Sequence, residues 1–547
     1  MPKLYFEYNS RGEPKRLCLK CPRSLWSVAQ SVPGASLSRD KTVMRYPPDE
    51  LNARRLIKII PNLTVDPEVQ RWLDESLERA KYLAKLKDMP DAKINAPQAN
   101  RLYPFQRVDV AFMREVPFVL NANQMGTGKT VEALALADEV RAEKVLIVCS
   151  KSKMSDWADE IGVWCSDKAS VARGSIQQRK QIIAEFQRFL IINYAMLRGS
   201  KYSELFKIKW NLVIFDEAHQ LKGRKAQQTQ GAKRLKAKRI VLLTGTPMLN
   251  APQELWSLLN LLYPKRFTSY WQFVERFCET EENPFAPTPR IIDVKNVKAL
   301  QYILVPIMVR REKKQVMSHL PDKIYKTIRL ELEGQQKKAY EQMEKEMVAM
   351  LQNGVEVKAG TGLAQMIRLR QLCLSPAILG GPDKSVKTEA LLEILDEAIE
   401  SGEKVVVFSW FKDYVKLLSQ VLDKQKIRHV VMHGDTSDVA RDQAKRQFRD
   451  DPDTKVFLST IKTGGEGLNL QNASVLVFTD KSWVPGDNEQ AEDRIHREGQ
   501  TKNPLIISLV CKDTIEEDME TVLQNKERIT SEAMAIEKVA EKLIERA

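Results

Sequence analysis

Two short stretches carry residue types suited to phosphate chemistry. The first, "NANQMGTGKT" at residues 121–130, follows an apolar run and precedes the helix-forming "VEALALADEV". Gly126 and Gly128 permit backbone N–H groups at a helix N-terminus to approach phosphates closely. The Lys129 ammonium can reach the β- and γ-phosphates, and the Thr130 hydroxyl can bind Mg²⁺. The stretch therefore predicts a loop that binds a nucleoside triphosphate, with Met125 and Thr127 completing it.

This loop departs from the usual pattern at its first position. Asn123 stands where a glycine is usual. Asparagine adopts the left-handed backbone conformation more readily than most other side chains do. We therefore expect the loop to bind phosphate in spite of the substitution.

The second stretch, "NLVIFDEAH" at residues 211–219, is an apolar run that ends in two acids. Phosphoryl transfer to water needs a carboxylate that holds Mg²⁺ and a second group that orients the attacking water. Asp216 suits the first task and Glu217 the second. Two acids at a strand end are ordinary by themselves, but their position downstream of a phosphate loop predicts an ATPase.

The elements that must position these residues are visible as alternating apolar runs and helical segments. The runs are "FVLNA", "VLIVC", "FLIIN", "NLVIFD" and "RIVLLTG", followed later by "KVVVFS", "HVVMHG", "KVFLST", "SVLVFTD" and "LIISLV". Such alternation is typical of βαβ units around a buried parallel sheet. A helix-rich stretch from about residue 251 to 380 separates the two groups. The fold class is therefore α/β, with two parallel sheets and a helical insertion.

Composition limits the alternatives. A chain of 547 residues with 43% hydrophobic and 29% charged residues is typical of a globular protein of about two to four domains. Seven cysteines do not suggest a disulfide framework, which favours a reducing compartment. Cys18 and Cys21 form one C-x-x-C pair, but no second pair or nearby histidine completes a zinc site. No run reaches the roughly 18 apolar residues of a membrane span, and the N-terminus has no signal-peptide core.

The charge is unevenly distributed. The chain has a net charge of +14, but residues 386–547 have 23 basic and 31 acidic side chains, so residues 1–385 carry +22. Such an asymmetry predicts a polyanionic partner on the N-terminal part, most simply nucleic acid. A well-solvated basic surface is the alternative.

Further motifs make a family resemblance specific. "DEAH" is followed by "LLTGTPMLN" and "ELWSLLNLLYP", and "STIKTGGEGLNL" and "QAEDRIHREGQ" lie within the second group of strands. "VRREKKQVMSHLPDK" and "LRQLCLSPAIL" occupy the stretch between them. In this order the motifs resemble the Swi/Snf type of superfamily-two helicase-like ATPase, through nearly the whole chain after residue 100.

The resemblance implies roles for further residues. Gln106 in "LYPFQ" would contact the adenine, and Arg494 and Arg497 would act as arginine fingers, with Gln490 beside them in the nucleotide cleft. Three residues apart on a predicted helix, the two arginines would share one face. Alternatively, this helix is a surface helix paired with Glu492 and Glu498. The motif that couples nucleotide state to DNA binding contains Thr463, Gly464, Gly465 and Asn469.

Some positions depart from the family pattern. Asn123 and Gln124 replace its usual acidic pair, Val484 replaces an asparagine, and Glu498 replaces an apolar residue. None of these changes removes a predicted catalytic group.

A basic stretch directly follows "DEAH". Residues 221–239 contain eight basic side chains and no acid. We expect five of them to contact DNA phosphates: Lys222, Arg224, Lys233, Arg234 and Lys236. A solvated helix face is the alternative. Trp483 could stack on an exposed base, although an aromatic residue at a strand end is more often part of the packing.

Together these features predict an ATP- and Mg²⁺-dependent motor with two RecA-like lobes that moves along double-stranded DNA. The predicted divisions are an accessory region (1–100), lobe 1 (101–250), a helical insertion with linker (251–385) and lobe 2 with a terminal helix (386–547). The compact chain resembles annealing or fork-remodelling enzymes, so DNA repair and recombination in a bacterial or phage-infected cytoplasm are expected, or in a nucleus if the source is eukaryotic. A strand-separating DNA or RNA helicase and a scaffold with a weak ATPase are the alternatives.

Overall fold

The computed structural model describes residues 1–10, 12–32, 34–248, 252–282, 288–317, 319–350, 356–464 and 468–534. Met1–Gln124 and Gly128–Arg311 belong to one compact unit, and Glu312–Arg528 belongs to a second. The predicted α/β class with two parallel sheets is confirmed, since each unit contains one of them.

The first unit begins with a small sheet in the order β3-β4-β2-β1-β5, antiparallel except for the β1–β5 pair. Its elements are β1 (Lys3–Tyr8), β2 (Pro14–Lys20), α1 (Trp26–Gln30), β3 (Ser36–Leu37), β4 (Met44–Tyr46), α2 (Glu50–Ile59), β5 (Thr64–Val65) and α3 (Pro67–Lys87). Helix α3 is rich in charged side chains. It begins where the Asp66 side chain accepts a hydrogen bond from the Glu68 N–H, an N-cap that satisfies a free backbone donor.

The first parallel sheet has the order β14-β6-β11-β10-β7-β9-β8. Its first elements are α4 (Pro104–Glu115), β6 (Phe118–Asn121), α5 (Lys129–Glu139), β7 (Val145–Cys149), α6 (Met154–Trp164), β8 (Ala169–Val171), α7 (Ile176–Glu185), β9 (Phe189–Asn193), β10 (Lys209–Asp216), α8 (Gln227–Ala232) and β11 (Lys236–Leu243). All five residues of β7 are buried, as expected for a strand covered by helices on both faces.

The next segment adds three helices, a two-stranded antiparallel sheet and one more strand of the parallel sheet to this unit. It contains α9 (Glu254–Leu262), α10 (Tyr270–Phe277), β12 (Cys278–Glu281), β13 (Arg290–Val294), α11 (Val297–Leu304) and β14 (Met308–Val309). Strand β14 pairs in parallel with β6 and so belongs to the first parallel sheet. The predicted helical insertion therefore also contributes a strand, too short to be recognised from the sequence.

The N-terminal region is attached to the rest of its unit by buried charged groups. Arg276 donates to Asp49 at 2.7 Å, and the buried Lys87 ammonium donates to the carbonyls of Val305 (2.7 Å) and Met308 (3.2 Å). Because a buried charge must be satisfied by hydrogen bonds, these contacts fix the start of α2 and the end of α3 to the segment that runs from α9 to β14.

The second unit contains a sheet of six parallel strands in the order β15-β22-β21-β18-β20-β19. The first elements of this unit, in chain order, are α12 (Lys313–Val316), β15 (Ile324–Leu330), α13 (Gly334–Glu346), β16 (Val348–Met350), β17 (Glu356–Lys358), α14 (Gly362–Leu374), α15 (Val386–Glu400) and β18 (Val405–Ser409). The remaining elements are α16 (Lys412–Lys424), β19 (His429–Met432), α17 (Asp438–Asp450), β20 (Val456–Thr460), α18 (Ile461–Gly464), β21 (Val475–Phe478), α19 (Pro485–Glu492), β22 (Leu505–Cys511) and α20 (Ile515–Met534). Helix α20 belongs to the second unit as far as Arg528, and its residues from Ile529 belong to the first.

All ten strands predicted from apolar runs are present. Residues 380–385, at the end of the predicted insertion with linker, lie within the second unit, where Gly380 has φ +89° and ends a 3₁₀ turn, and the Ser385 hydroxyl caps α15. The four-part division at residues 100, 250 and 385 stays a prediction.

Two glycines in short helices give a test of the packing in the first unit. A Cβ at Gly231, in α8, would lie 1.9 Å from the carbonyl oxygen of Leu197. A Cβ at Gly162, in the exposed part of α6, would meet nothing within 4 Å. The first site cannot accept a methyl group without moving the backbone, whereas the second can.

We therefore expect Gly231→Ala to lower the free energy of unfolding by about 1–3 kcal/mol. The matched control Gly162→Ala should raise it by about 0.5–1 kcal/mol, because alanine favours helices over glycine. Urea unfolding followed by circular dichroism measures both. Equal effects of the two substitutions would contradict the close approach at Gly231.

Candidate functional site

The predicted phosphate loop connects β6 to α5 at the carboxyl edge of the first parallel sheet. Gly126 and Gly128 have φ values of +82° and +87°, which an L side chain rarely adopts. Gly128 is the N-cap residue of α5, so Lys129 is its first helical residue and Thr130 its second. A Cβ at Gly128 would also lie 2.3 Å from Nε2 of Gln106. The backbone conformation favours glycine here, and a side chain would also displace the Gln106 amide.

The Lys129 ammonium is held by the loop itself. Its Nζ donates to the carbonyl oxygens of Asn123 at 2.8 Å and Gln124 at 3.0 Å. Within the loop, Thr127 is buried and Met125 is half-buried. The loop and the first turn of α5 together contain six of the residues predicted to bind the nucleotide: Met125, Gly126, Thr127, Gly128, Lys129 and Thr130.

Asp216 ends β10 and is fixed by three neighbours. Its Oδ2 accepts from Trp157 Nε1 at 2.9 Å, its Oδ1 accepts from the Glu217 N–H at 3.0 Å, and its carbonyl oxygen accepts from the Tyr194 hydroxyl at 2.6 Å. Burial raises the pKa of Asp216, and the charge of Glu217 raises it further, while Lys153 and Lys129 act in the opposite direction. The charge of Lys129 thus acts on this carboxylate.

Glu217 has an unusual backbone. Its φ and ψ are +49° and +53°, in the left-handed region. Such strain in a non-glycine residue is typical of functional sites, where the surrounding structure enforces it. Its carboxylate lies 3.4 Å from Nδ1 of His219.

The donor set at this edge fits Mg²⁺. Magnesium prefers oxygen ligands, and the Thr130 hydroxyl and the Asp216 carboxylate supply them. Because burial and the charge of Glu217 raise the cost of ionising Asp216, a divalent cation at this edge would favour the ionised carboxylate.

Gln106 lies at the start of α4, beside two aromatic rings. Its Oε1 accepts from the Tyr103 N–H at 2.9 Å, and the rings of Tyr103 and Phe105 stack at 5.9 Å with an interplanar angle of 11°. Tyr103 is 41% exposed. A planar base could therefore find a ring face and an amide side chain next to the phosphate loop.

A cluster of buried polar residues beneath the loop was missed at the sequence level. Asp109, Asn121, Asn123 and Glu132 are all fully buried. Burial, followed by the charge of Asp109, raises the pKa of Glu132 to about 8. The only signal in the sequence is an acid among apolar helix residues, in "TVEALALAD".

The two predicted arginine fingers lie in the second unit, beyond the end of a helix. Helix α19 contains Gln490, which is half-buried, but ends at Glu492, so the prediction that one helix carries both arginines is wrong. Arg494 is fully buried and its Nη1 is 3.4 Å from the Leu468 carbonyl oxygen. Arg497 is only half-buried, and its Nε donates to the Asp493 carbonyl at 2.8 Å. Of the two guanidinium groups, that of Arg497 is the more exposed.

Buried ion pairs, rather than a helix, hold the segment that carries Arg494 and Arg497. Lys313 donates to Asp493 at 2.7 Å, and Lys323 donates to Glu492 at 3.0 Å and lies 3.1 Å from Asp493. The nearby ammonium groups outweigh burial and hold the pKa of Asp493 well below its usual range. Both lysines come from "VRREKKQVMSHLPDK". This stretch therefore supports the segment that carries the arginines.

The predicted coupling motif is partly described. Thr463 is buried, and its hydroxyl oxygen accepts a hydrogen bond from the Thr460 hydroxyl at 2.9 Å. Asn469 is exposed. A Cβ at Gly464 would lie 2.1 Å from the ring of Phe408, so this position has no room for a side chain. Gly465 lies outside the described residues.

Trp483 is half-buried rather than presented to solvent. The guanidinium of Arg370 lies 5.8 Å from its ring and 5.2 Å from the ring of Phe411, and also donates to Asp480 at 2.9 Å. Packing accounts for these contacts, which favours the structural interpretation of Trp483.

The basic stretch does not form one helix face. Lys222 precedes α8 and pairs with Glu254 at 3.2 Å, and the Arg224 guanidinium lies 4.1 Å from the ring of Tyr270. Lys236 is exposed at the start of β11, at the opposite edge of the sheet. An eight-residue strand is about 26 Å long, so Lys222 and Lys236 cannot act as one short row of phosphate contacts.

The two remaining residues of this set contact aromatic rings. Lys233 lies 5.3 Å from the ring of Trp256, and its burial lowers its pKa. The Arg234 guanidinium lies 4.0 Å from the ring of Phe206. Lys233 is therefore less suited than Lys222 or Lys236 to contact DNA.

Two further expectations concern membranes and metals. Among the described residues, no helix combines the length and apolar character that crossing a bilayer requires. The described residues contain one group of potential metal ligands, formed by Cys373, Cys511 and Glu516. It does not include Cys18 or Cys21. Glu516 already accepts from the buried Lys387 at 2.7 Å, which supplies the compensating positive charge.

Two family models match the chain. Residues 106–378 match the SNF2-related domain, and residues 386–499 match the helicase conserved C-terminal domain. Together they contain every predicted nucleotide-binding and catalytic residue.

Individual proteins are similar over most of the chain. An uncharacterised ATP-dependent helicase of Mycoplasma genitalium is 27% identical over 88% of this chain and 46% of its own length. A probable ATP-dependent DNA helicase of Arabidopsis thaliana is 32% identical over 72% of this chain and 39% of its own. A Drosophila melanogaster protein, the SWI/SNF-related matrix-associated actin-dependent regulator of chromatin subfamily A-like protein 1, is 29% identical over 80% and 57%. The chain spans less than two thirds of the length of each of these relatives.

Among solved structures, the Sulfolobus solfataricus SWI2/SNF2 ATPase core in complex with double-stranded DNA is 26% identical, covers 84% of this chain and 98% of its own, and has a TM-score of 0.38.

Proposed function

Because the chain belongs to the SNF2-related family of helicase-like ATPases, we propose that it is a DNA-dependent ATPase that moves along or remodels double-stranded DNA. One observation carries this proposal. The phosphate loop after β6 and the acidic pair after β10 lie at the same edge of one parallel sheet, with only β11 between their strands. This is the arrangement in which a triphosphate and its metal are held together.

The proposed chemistry assigns one task to each group. Lys129 binds the β- and γ-phosphates, Thr130 and Asp216 hold Mg²⁺, and Glu217 orients the attacking water. Mg²⁺, when bound, neutralises charge on the phosphate oxygens. In the second unit we propose that Arg497 and Arg494 stabilise charge that develops on the transferred phosphoryl group, with Gln490 nearby.

The proposed track is double-stranded DNA. The charge of +22 on residues 1–385 favours a polyanion, and the Arabidopsis relative is described as a probable DNA helicase. A motor that binds phosphates rather than bases gains binding that is independent of sequence. The predicted accessory region, lobes and insertion would then serve one DNA-bound cycle, in repair or recombination within a DNA-containing compartment of the cell.

Two other functions remain to be separated from this one. A strand-separating helicase would act on forks or RNA, and a scaffold would bind nucleic acid with a weak ATPase. The intact set of Lys129, Asp216, Glu217, Arg494 and Arg497 favours an active ATPase over the scaffold.

A substrate comparison tests the proposal. We expect duplex DNA to stimulate ATP hydrolysis more than single strands or RNA, and we expect ATP-dependent displacement of a triplex-forming strand with little unwinding of a forked duplex. Translocation on intact duplex removes a third strand without opening base pairs. Efficient fork unwinding, or stimulation by RNA or single strands alone, would instead support the helicase.

The roles at the sheet edge predict different defects for two variants. Lys129→Ala should lose tight ATP binding, since the ammonium binds phosphate. Glu217→Gln should still bind ATP but hydrolyse it about a hundredfold more slowly or worse, since it no longer activates water. Equilibrium binding and steady-state hydrolysis with saturating DNA measure the two. The control is Glu143→Gln, an exposed acid before β7 at the opposite edge of the sheet. Near-normal turnover of Glu217→Gln would refute its assignment.

The separation of Lys222 from Lys236 gives a test of the DNA track. We expect Lys222→Gln to weaken duplex binding and to reduce the slope of log affinity against log salt by about one, because each phosphate contact releases about one counterion. Lys236→Gln is measured alongside. If only Lys236→Gln changed the slope, the track would lie at the amino edge of the sheet. Unchanged slopes in both would make the basic stretch a solvated surface.

A further inference from the structure

The buried polar cluster beneath the phosphate loop joins four separate parts of the first unit. Asp109 comes from α4, Asn121 ends β6, Asn123 lies in the loop and Glu132 lies in the first turn of α5. All four are 0% exposed. Because buried polar groups are costly unless they are paired, the pattern of donors and acceptors among them is restricted.

Asn123 is the centre of this pattern. Its Nδ2 lies 2.8 Å from Oδ2 of Asp109 and 3.2 Å from Oε2 of Glu132. A carboxamide NH₂ group has two hydrogens, so it can donate one to each carboxyl group. Asn121 completes the cluster, since its Nδ2 donates to Glu132 at 2.6 Å and its Oδ1 accepts from the Asn123 N–H at 3.2 Å.

The main chain of the same residue holds the predicted phosphate-binding lysine. The carbonyl oxygen of Asn123 accepts from Lys129 Nζ at 2.8 Å. On the far side of the cluster, Arg311 donates to Asp109 at 3.0 and 3.1 Å and to the Lys87 carbonyl at 2.7 Å. A continuous series of hydrogen bonds thus connects α3 to Lys129 through the side chain of Asn123.

Other residues at this position would break the series. Glycine, usual at the start of such loops, would leave the two carboxyl groups without their shared donor. Aspartate would have nearly the same shape, but it would add a third carboxyl group and replace both donated hydrogens by acceptors. Leaving a buried polar group without its hydrogen bond costs more than the bond itself contributes.

We propose that Asn123 is a positioning residue for nucleotide binding: its amide, shared between Asp109 and Glu132, fixes the loop carbonyl that holds Lys129 in place to receive phosphate. The inference rests on the proposed ATPase function. It explains the departure of this loop from the glycine pattern, because the asparagine is matched to two acids that only the folded chain brings together. The position of the loop carbonyl therefore depends on an alternation of side-chain types, with one amide between two carboxyl groups.

This alternation can be inverted without changing the shape of any side chain. Asn123→Asp alone places three carboxyl groups in the cluster. Asp109→Asn with Glu132→Gln leaves four amides, Asn121 included, and no carboxyl group. All three substitutions together place one carboxyl group between two amides and restore a donor for each acceptor. Arg311 can then still donate to the amide oxygen introduced at position 109.

The four proteins are compared by titration with fluorescent mant-ADP, with and without magnesium, and by ATP hydrolysis. We expect both partial variants to bind nucleotide about tenfold or more weakly, with a larger change in KM for ATP than in kcat, because the cost of leaving a buried polar group without its hydrogen bond has this size. The triple variant should recover most of the affinity. A role in packing alone would follow the melting temperature instead, which circular dichroism measures in parallel.

A second readout does not depend on nucleotide. Acetylation of Lys129 in the nucleotide-free protein, followed by peptide mass spectrometry, should be faster in Asn123→Asp than in the unchanged chain, relative to exposed Lys144 in the same sample. The triple variant should return to the slow rate.

The outcomes are distinct. Wild-type affinity in Asn123→Asp or in the Asp109→Asn/Glu132→Gln variant overturns the inference, and so does a triple variant that does not recover. If Asn123→Asp fails to fold, recovery in the triple variant still decides the question. Failure of the unchanged chain to hydrolyse ATP would refute the proposed function, while the labelling of Lys129 would still report on its position.

Discussion

The in-register pairing of three parallel strands is the constraint on which the first site depends. Asp216 in β10 pairs with Leu243 in β11, and Leu243 pairs with Asn121 in β6. The three chains therefore leave the sheet in one row, about 4.8 Å apart from strand to strand. The Thr244 N–H donates to the Asn121 carbonyl at 3.0 Å and extends the pairing beyond the last strand residue. Because a register shift of one residue would turn every side chain to the other face, the phosphate loop and the acidic pair can face each other only in this register.

The strands that set this register were predictable, since buried parallel strands are continuous apolar runs. The strands that were missed lack that property for physical reasons. Strand β14 has two residues, and β15 is an edge strand whose residues are mostly exposed, so "IYKTIRL" mixes charged and apolar side chains. The predicted helix through Arg494 is absent for a different reason. The spacing of the arginines is helical, but Lys313 and Lys323 bind Asp493 and Glu492 from more than 160 residues away. A local sequence pattern cannot identify partners so distant in the chain.

The candidate site was predictable where chemistry requires a residue type at a fixed spacing. Lys129 and Thr130 follow glycines, and Asp216 and Glu217 end an apolar strand. The same reasoning could not find Asp109 and Glu132, because each is an ordinary acid in its own helix. Only the folded chain brings the two carboxyl groups to one amide. It also treated the basic residues of 221–239 alike. Their differences depend on aromatic neighbours such as Trp256 and Tyr270, which come from α9 and α10.

The segment that carries the arginines and the cluster beneath the phosphate loop both bury carboxyl groups, and the two sites compensate these groups differently. Asp493 is buried with two lysines, so its charge is compensated by full ion pairs, and removal of either partner would leave a charge without compensation. Beneath the phosphate loop, two buried carboxyl groups share the neutral amide of Asn123, and Arg311 compensates the charge of Asp109. The carbonyl of the same asparagine accepts from the Lys129 ammonium. An ammonium binds a phosphate oxygen more strongly than a neutral carbonyl oxygen, so this bond can be exchanged for a phosphate contact.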